Sequence, residues 1–134
     1  MPPAGAFLVV DDSRLHHQMY NLIFAKGLLA GSSVHHAFNG RDGYSLFVTH
    51  PELTMVFLDL NMPGMNGLEF LARRRTENLH PHVPIVMVTT EGTPEDEIRG
   101  RAAGAWDYLR KPFTPADVER LVQRAMARAA GKQA

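Results

Sequence analysis

Met55-Val56-Phe57-Leu58-Asp59-Leu60-Asn61-Met62-Pro63-Gly64-Met65-Asn66-Gly67 sets a short apolar run, an acidic residue and a turn-rich loop end to end. Four consecutive apolar side chains, without the alternation of a half-exposed strand, suit a strand buried on both faces. That kind of burial belongs to a parallel sheet covered by helices on each side. The run ends in Asp59. The loop from Asn61 to Gly67 then leads into a helix around Leu68 to Glu77, with Leu68, Phe70 and Leu71 as its apolar residues.

The same alternation extends in both directions. Upstream, Phe7-Leu8-Val9-Val10 is a second continuous apolar run, and it ends at Asp11-Asp12. Ser13 is placed as a helix cap, followed by Leu15, Met19, Leu22 and Ile23 at helical spacing. Gly31-Ser32-Ser33 breaks the helix before a weaker strand, Val34 to Phe38. Asn39 to Val48 reads as a short helix with Tyr44 and Phe47 on its apolar side. Downstream, Pro84 to Val88 is a fourth strand ending in Thr89-Thr90-Glu91. Thr93-Pro94-Glu95-Asp96 joins a cap, a first-turn proline and acids at the positive helix end. Thr114-Pro115-Ala116-Asp117 repeats that grammar. Between the two caps lies a short strand, Trp106 to Leu109. The last helix carries Val118, Leu121, Val122, Ala125 and Met126 on one stripe, with Arg120, Arg124 and Arg128 outside it.

Five strands alternating with five helices predict an α/β fold: a doubly wound (βα)5 sandwich around a parallel five-stranded sheet. The 134 residues suffice for one domain, residues 1–134, with a core from about Phe7 to Ala130. Fourteen basic residues balance fourteen acidic ones, so bulk charge points neither to nucleic acid nor to an anionic membrane. There is no cysteine, which excludes disulfides and thiolate chemistry. No apolar run approaches the roughly 20 residues of a membrane span. Met1-Pro2-Pro3-Ala4-Gly5-Ala6 lacks the features of a signal peptide, so a cytoplasmic location is expected.

In doubly wound sheets the working residues collect at the carboxyl ends of the strands, beside a topological switch point. Here those ends carry Asp11-Asp12, Asp59, Thr89 and Lys111. Three carboxylates drawn together repel one another, so that some must protonate unless a cation is present, and an all-oxygen acidic site suits Mg²⁺. Lys111 adds a fixed positive charge and Thr89 a neutral donor. Transfer of a phosphoryl group to Asp59 requires such a set, because that chemistry is mostly positioning and charge neutralisation.

Four blocks carry a family resemblance: Val9-Val10-Asp11-Asp12-Ser13, Leu58 to Gly67, Val88-Thr89-Thr90-Glu91 and Tyr108-Leu109-Arg110-Lys111-Pro112-Phe113. In this order they resemble response-regulator receiver domains of the single-domain, CheY-like type, over about Phe7 to Ala130. The resemblance implies the flavodoxin/CheY-like fold and a role in a two-component phosphorelay. It implies that Asp59 is the phosphoacceptor, taking its group from a phosphohistidine of a sensor histidine kinase or a histidine phosphotransfer protein. It further implies that Asp12 binds Mg²⁺ directly, Asp11 mainly through water, and Asn61 through its backbone carbonyl. Thr89 and Lys111 are expected at the phosphoryl oxygens, and Tyr108 at the aromatic switch position. Asn61 and Glu91 match the pair flanking the site in chemotaxis receivers. A cis peptide is expected at Lys111-Pro112, a form adopted by only about 5–6% of X-Pro bonds. An effector is expected on the face of the fourth helix, fifth strand and fifth helix. Trp106, Arg110 and Asn66 depart from the usual family residues, and the first two lie near that face, so partner identity does not carry over. Chemistry is expected on the protein itself only, not enzyme turnover.

Two rival readings follow from the same residues. A Mg²⁺-dependent phosphohydrolase with an aspartate nucleophile commonly has a second, acid/base Asp two residues on, where this chain has Asn61. A receiver fragment of a larger regulator or hybrid kinase is the other, though Met1 favours a genuine amino terminus. Neither a G-x-G-x-x-G nor a P-loop sequence is present, so nucleotide binding is not expected. His16-His17 and His35-His36 are adjacent pairs that do not face one site on a helix or strand, and they are read as structural or surface residues. The run Arg73-Arg74-Arg75 is read as the solvated face of its helix.

Overall fold

The computed structural model describes residues 5–90 and 93–133, with backbone alone for 130–133; Met1 to Ala4 and Glu91 lie outside the described residues. The strands are β1 (Ala6–Val10), β2 (Ser33–Ala37), β3 (Met55–Asp59), β4 (Ile85–Thr89) and β5 (Asp107–Arg110). They alternate with α1 (Arg14–Ala25), α2 (Gly40–Thr49), α3 (Gly67–Glu77), α4 (Pro94–Ala102) and α5 (Pro115–Gln133), and a 3₁₀ turn at Gly27–Leu29 follows α1. All four strand pairings are parallel, in the order β2-β1-β3-β4-β5. The expected (βα)5 architecture is therefore present, with strand boundaries within a residue or so of the sequence reading.

Period-two alternation sorts the strands onto two cores. Phe7, Val9, Met55, Phe57, Val86, Val88 and Leu109 pack with Tyr20, Ile23 and Phe24 of α1 and with Val118, Leu121, Val122 and Ala125 of α5. Leu8, Val10, Val56, Leu58, Ile85 and Met87 pack with Tyr44 and Phe47 of α2 and Phe70 and Leu71 of α3. Ser13 and Thr93 cap their helices as expected, and the structure adds Asn39 and Asn66 as caps of α2 and α3; each of the four accepts a hydrogen bond from the backbone three residues on. Asn66 and Glu69 form a full capping box.

Two sequence expectations are corrected. On α1, Leu15 and Leu22 are 64% and 61% exposed, whereas Tyr20, Ile23 and Phe24 are buried. The helix turns its aromatic stripe to the sheet because Tyr20 and Phe24 remove far more area from water, Phe24 stacking on Phe7 and both rings meeting Phe57 at tilted or edge-on angles.

The second correction concerns the arginine run. Arg73 is exposed and pairs with Glu77, but Arg74 is buried. Its Nε donates to Leu79 O at 3.0 Å, and its Nη2 donates to His80 O at 3.0 Å and Val83 O at 2.8 Å. This loop has non-glycine residues at positive φ, Asn78 (49°) and His80 (43°), a backbone the surroundings must enforce. Arg74 enforces it by supplying donors to carbonyls that no strand or helix satisfies. Arg74→Met keeps the stem and removes the donors. It is expected to lower the unfolding free energy by about 2–3 kcal/mol, read as a lower urea midpoint at unchanged slope. An unchanged midpoint would mean that water replaces the guanidinium without cost.

Candidate functional site

β1 and β3 are neighbours, and the chain leaves β1 toward one edge of the sheet and returns at β3 on the other side. Their carboxyl ends therefore open at the switch point. Asp11 follows β1 directly and is buried, and Asp59 is the last residue of β3 and also buried; Asp12 is exposed. One ligand oxygen from each of Asp11, Asp12 and Asp59 lies within 4.8 Å of the others. The fold thus brings the three strand-end carboxylates together.

Lys111 reaches them from the end of β5. Its ammonium Nζ is 2.8 Å from Asp11 Oδ2 and 3.7 Å from Asp59 Oδ2. Its backbone N–H donates to Thr89 O, which ties the β5 exit to the end of β4. The Lys111-Pro112 peptide is cis, as expected. Thr89 is fully buried at the end of β4. Asn61 is exposed in the loop after β3, and its backbone N–H donates to Asp59 Oδ1 at 3.3 Å. The loop closes back tightly: a Cβ on Gly67 would stand 2.9 Å from Asp59 O and from Met87 Cε, so only glycine lets α3 start this close to the strand end.

Charge in the site is unevenly balanced. Burial works to raise the Asp11 pKa. The hydrogen bond from Lys111, the Ser13 N–H and the charges of Lys111 and His16 outweigh it, and Asp11 is held below the usual carboxylate value. Asp59 goes the other way. Burial pushes it up to about 6; Lys111 pulls it down, the Asp11 charge pushes it up, the Asn61 N–H opposes, and Asp12 adds to the rise. The one ammonium pairs with Asp11 and Asp59 and is committed chiefly to Asp11, while Asp12 adds a third negative charge. A small divalent cation would balance the remainder, and Asp11, Asp12 and Asp59 offer the hard oxygen donors it prefers.

His16 belongs to this site, although the sequence reading leaves it among structural or surface residues. Its Nδ1 lies 3.0 Å from Asp11 Oδ2 and 2.8 Å from Lys111 Nζ. The one sequence signal is its place one turn inside the helix capped by Ser13, whose own N–H is bound by Asp11 Oδ1. His17, about 100° further round the helix, points elsewhere: its ring bridges Asp11 O and His36 Nδ1. The two members of the pair therefore face different surroundings, and each ring finds a partner from another element.

Tyr108 sits on β5 against the second core, 3.9 Å from where a Cβ on Gly100 of α4 would be. Its hydroxyl is buried without a hydrogen-bond partner at bonding geometry among the described residues. Burial raises its pKa, the Asp96 and Glu97 charges add to this, and Thr89 lies near enough to oppose them. Beside it, Asp107 receives Arg101 Nη2 of α4 at 3.2 Å and Arg124 Nη1 of α5 at 2.7 Å, joining both helices across β5. Trp106 is half-buried on the α5 side, with the Arg124 guanidinium 5.1 Å from its ring. Glu91, the expected second flanking residue, lies outside the described residues.

Residues 7–123 match the family model of the response regulator receiver domain. A chemotaxis protein CheY homolog of Campylobacter jejuni is 32% identical over 127 residues, covering 95% of this chain and 96% of that one. The regulatory protein AtoC of Escherichia coli is 32% identical over 127 residues, 94% of this chain but 26% of its own length. The crystal structure of Vibrio cholerae chemotaxis protein CheY4 superposes with a TM-score of 0.80 at 33% identity, covering 92% of this chain and 99% of that one.

Proposed function

Because the chain belongs to the response regulator receiver domain family and is the receiver of a two-component system, we propose that Asp59 is its phosphoacceptor. The observation that carries this reading is the Lys111 ammonium, 2.8 Å from Asp11 and 3.7 Å from Asp59 at the end of the neighbouring strand. An Asp59 oxygen attacks phosphorus in line with the bond to the donor nitrogen of a phosphohistidine. The P–N bond breaks, and the imidazole leaves with its electron pair and takes up a proton. Asp11 anchors Lys111 so that its ammonium faces the incoming phosphoryl oxygens, and the Thr89 hydroxyl donates to another. The Asn61 N–H fixes the carboxylate rotamer through Asp59 Oδ1. Mg²⁺, held by Asp12 and Asp59 with Asp11 behind them and the Asn61 carbonyl alongside, would neutralise the charge that gathers on those oxygens.

The output belongs to the α4-β5-α5 face. Thr89, drawn to a phosphoryl group on Asp59, changes what lies beside Tyr108, and the ring and its α4 neighbours follow. This makes the protein a phosphorylation switch in the cytoplasm rather than a turnover enzyme. Its donor is a sensor histidine kinase or histidine phosphotransfer protein, and its reader is an effector protein rather than nucleic acid. No helix among the described residues is long and apolar enough to cross a membrane. The phosphohydrolase reading has no support at Asn61, where its second acidic residue would stand. The match to a 26% share of AtoC favours a second possibility, that this unit also serves inside longer regulators.

Acetyl phosphate tests the chemistry without a kinase. A phosphoryl adduct is expected by intact mass in Mg²⁺ and none in EDTA, with no sustained release of p-nitrophenol from p-nitrophenyl phosphate. An adduct that forms equally in EDTA would remove the metal from the mechanism.

A further inference from the structure

The sheet edge carries a second group of metal-binding side chains, chemically unlike the first. His35 on β2, His50 at the end of α2 and Glu52 in the following loop each place one ligand atom within 4.8 Å of the others. The two imidazoles are in contact, with ring centroids 4.2 Å apart and planes at 43°. We propose that His35, His50 and Glu52 form a site for a borderline divalent cation of the Zn²⁺ class.

Three observations support this. The first is the state of His50. Its Nδ1 is 2.8 Å from Leu46 O and 3.0 Å from Thr49 Oγ1. A carbonyl only accepts, so Nδ1 carries the proton and Nε2 keeps its lone pair. A metal-binding histidine nearly always has its other ring N–H bound in this way, which fixes both tautomer and ring direction. The second is the backbone. Leu53 N–H donates to His50 O, a tight turn that brings Glu52 back beside His50. His35 is held on the opposite side by its strand register with Leu8. The third is that the ring nitrogens of His35 and the carboxylate of Glu52 have no hydrogen bond or ion pair among the described residues, so no existing bond is lost on binding.

The donor set decides the ion. Two imidazole nitrogens and one carboxylate, completed by a water, suit tetrahedral Zn²⁺ and leave Mg²⁺ poorly served. The location separates the two sites. α2 runs back from the carboxyl end of the sheet, so His50 lies toward the end away from Asp11 and Asp59. A cation here joins the edge strand β2 to the end of α2 without competing for the acidic site.

The test uses the whole protein, freed of metal by EDTA and held in excess Mg²⁺ so that the acidic site is not open to zinc. Calorimetric titration with Zn²⁺ is expected to show a single equivalent, and Co²⁺ to give the intense visible absorption of a tetrahedral complex. His35→Ala and His50→Ala should each weaken Zn²⁺ binding about a hundredfold or more, and Glu52→Gln about tenfold. His82→Ala, which removes an exposed histidine elsewhere, should bind as the wild type does. Thermal melts without zinc confirm that each variant is folded; should His35→Ala fail to fold, His50→Ala and Glu52→Gln decide. No Zn²⁺ binding, or unchanged affinity in His50→Ala, would overturn the proposal, as would loss of binding in His82→Ala.

Discussion

Asp59→Ala is expected to take up no phosphoryl group from acetyl phosphate in Mg²⁺, while folding and keeping every other polar residue of the site. The expectation is complete loss because no neighbour can substitute. Asp11 is the other buried carboxylate, but its Oδ2 is bound by Lys111 and its Oδ1 by the Ser13 N–H. Its lowered pKa reflects the same bonds, which make it a poor nucleophile. Asp12 is exposed, and the ammonium that would meet the phosphoryl oxygens is paired with Asp11 and Asp59 instead. Asp59 alone combines burial, an oriented rotamer and an oxygen that faces the Lys111 ammonium at 3.7 Å, beyond hydrogen-bond distance. Intact mass spectrometry reads the outcome directly. An adduct of wild-type yield on Asp59→Ala would move the acceptor to another residue and end the proposed chemistry.

The second large effect is a gain of stability. Metal-free Asp59→Asn should be more stable than wild type at neutral pH, by about 3 kcal/mol for a carboxyl shifted about two pKa units. The sign follows from the direction of the shift. Asp59 has a folded-state pKa of about 6 against 3.8 for the free group. Between those values the native state holds a proton that the unfolded state has lost, so stability falls as pH rises through this window. Above it the full cost of a buried, crowded carboxylate is present. The amide introduced by Asp59→Asn carries no such charge, and Lys111 keeps its 2.8 Å bond to Asp11 in the variant. Urea unfolding in EDTA should therefore show the gap at about pH 7 and its disappearance below about pH 4. Mg²⁺ should narrow the gap at neutral pH, since it stabilises the native wild type by mass action. Equal stabilities at neutral pH, or a gap that persists in acid, would mean that the Asp59 charge is not strained.

The fold and most of the site were legible along the chain because this architecture repeats one local grammar. Buried parallel strands are continuous apolar runs, and each run stops at the residue that faces the switch point. Asp11, Asp59, Thr89 and Lys111 could be placed at one end of the sheet without coordinates, since parallel strands share a direction and lie side by side. The capping residues Ser13 and Thr93 marked helix starts by local hydrogen bonding alone, which needs no tertiary context.

Only the tertiary structure decided how the side chains between those landmarks are used. Helical spacing on α1 admitted Leu15 and Leu22 as core residues; the aromatic rings of Phe7 and Phe57 across the interface turned Tyr20 and Phe24 inward instead. In the triplet Arg73-Arg74-Arg75 nothing local distinguishes the middle residue. Its burial follows from the path of the next loop, which turns the carbonyls of Leu79, His80 and Val83 toward its guanidinium. His16 joins Lys111 across 95 positions of sequence, and His35 meets His50 through the packing of α2 on β2. Periodicity records which face of an element is apolar. Which groups meet across two elements depends on their relative position, set by the sheet order and the packing of helices on it.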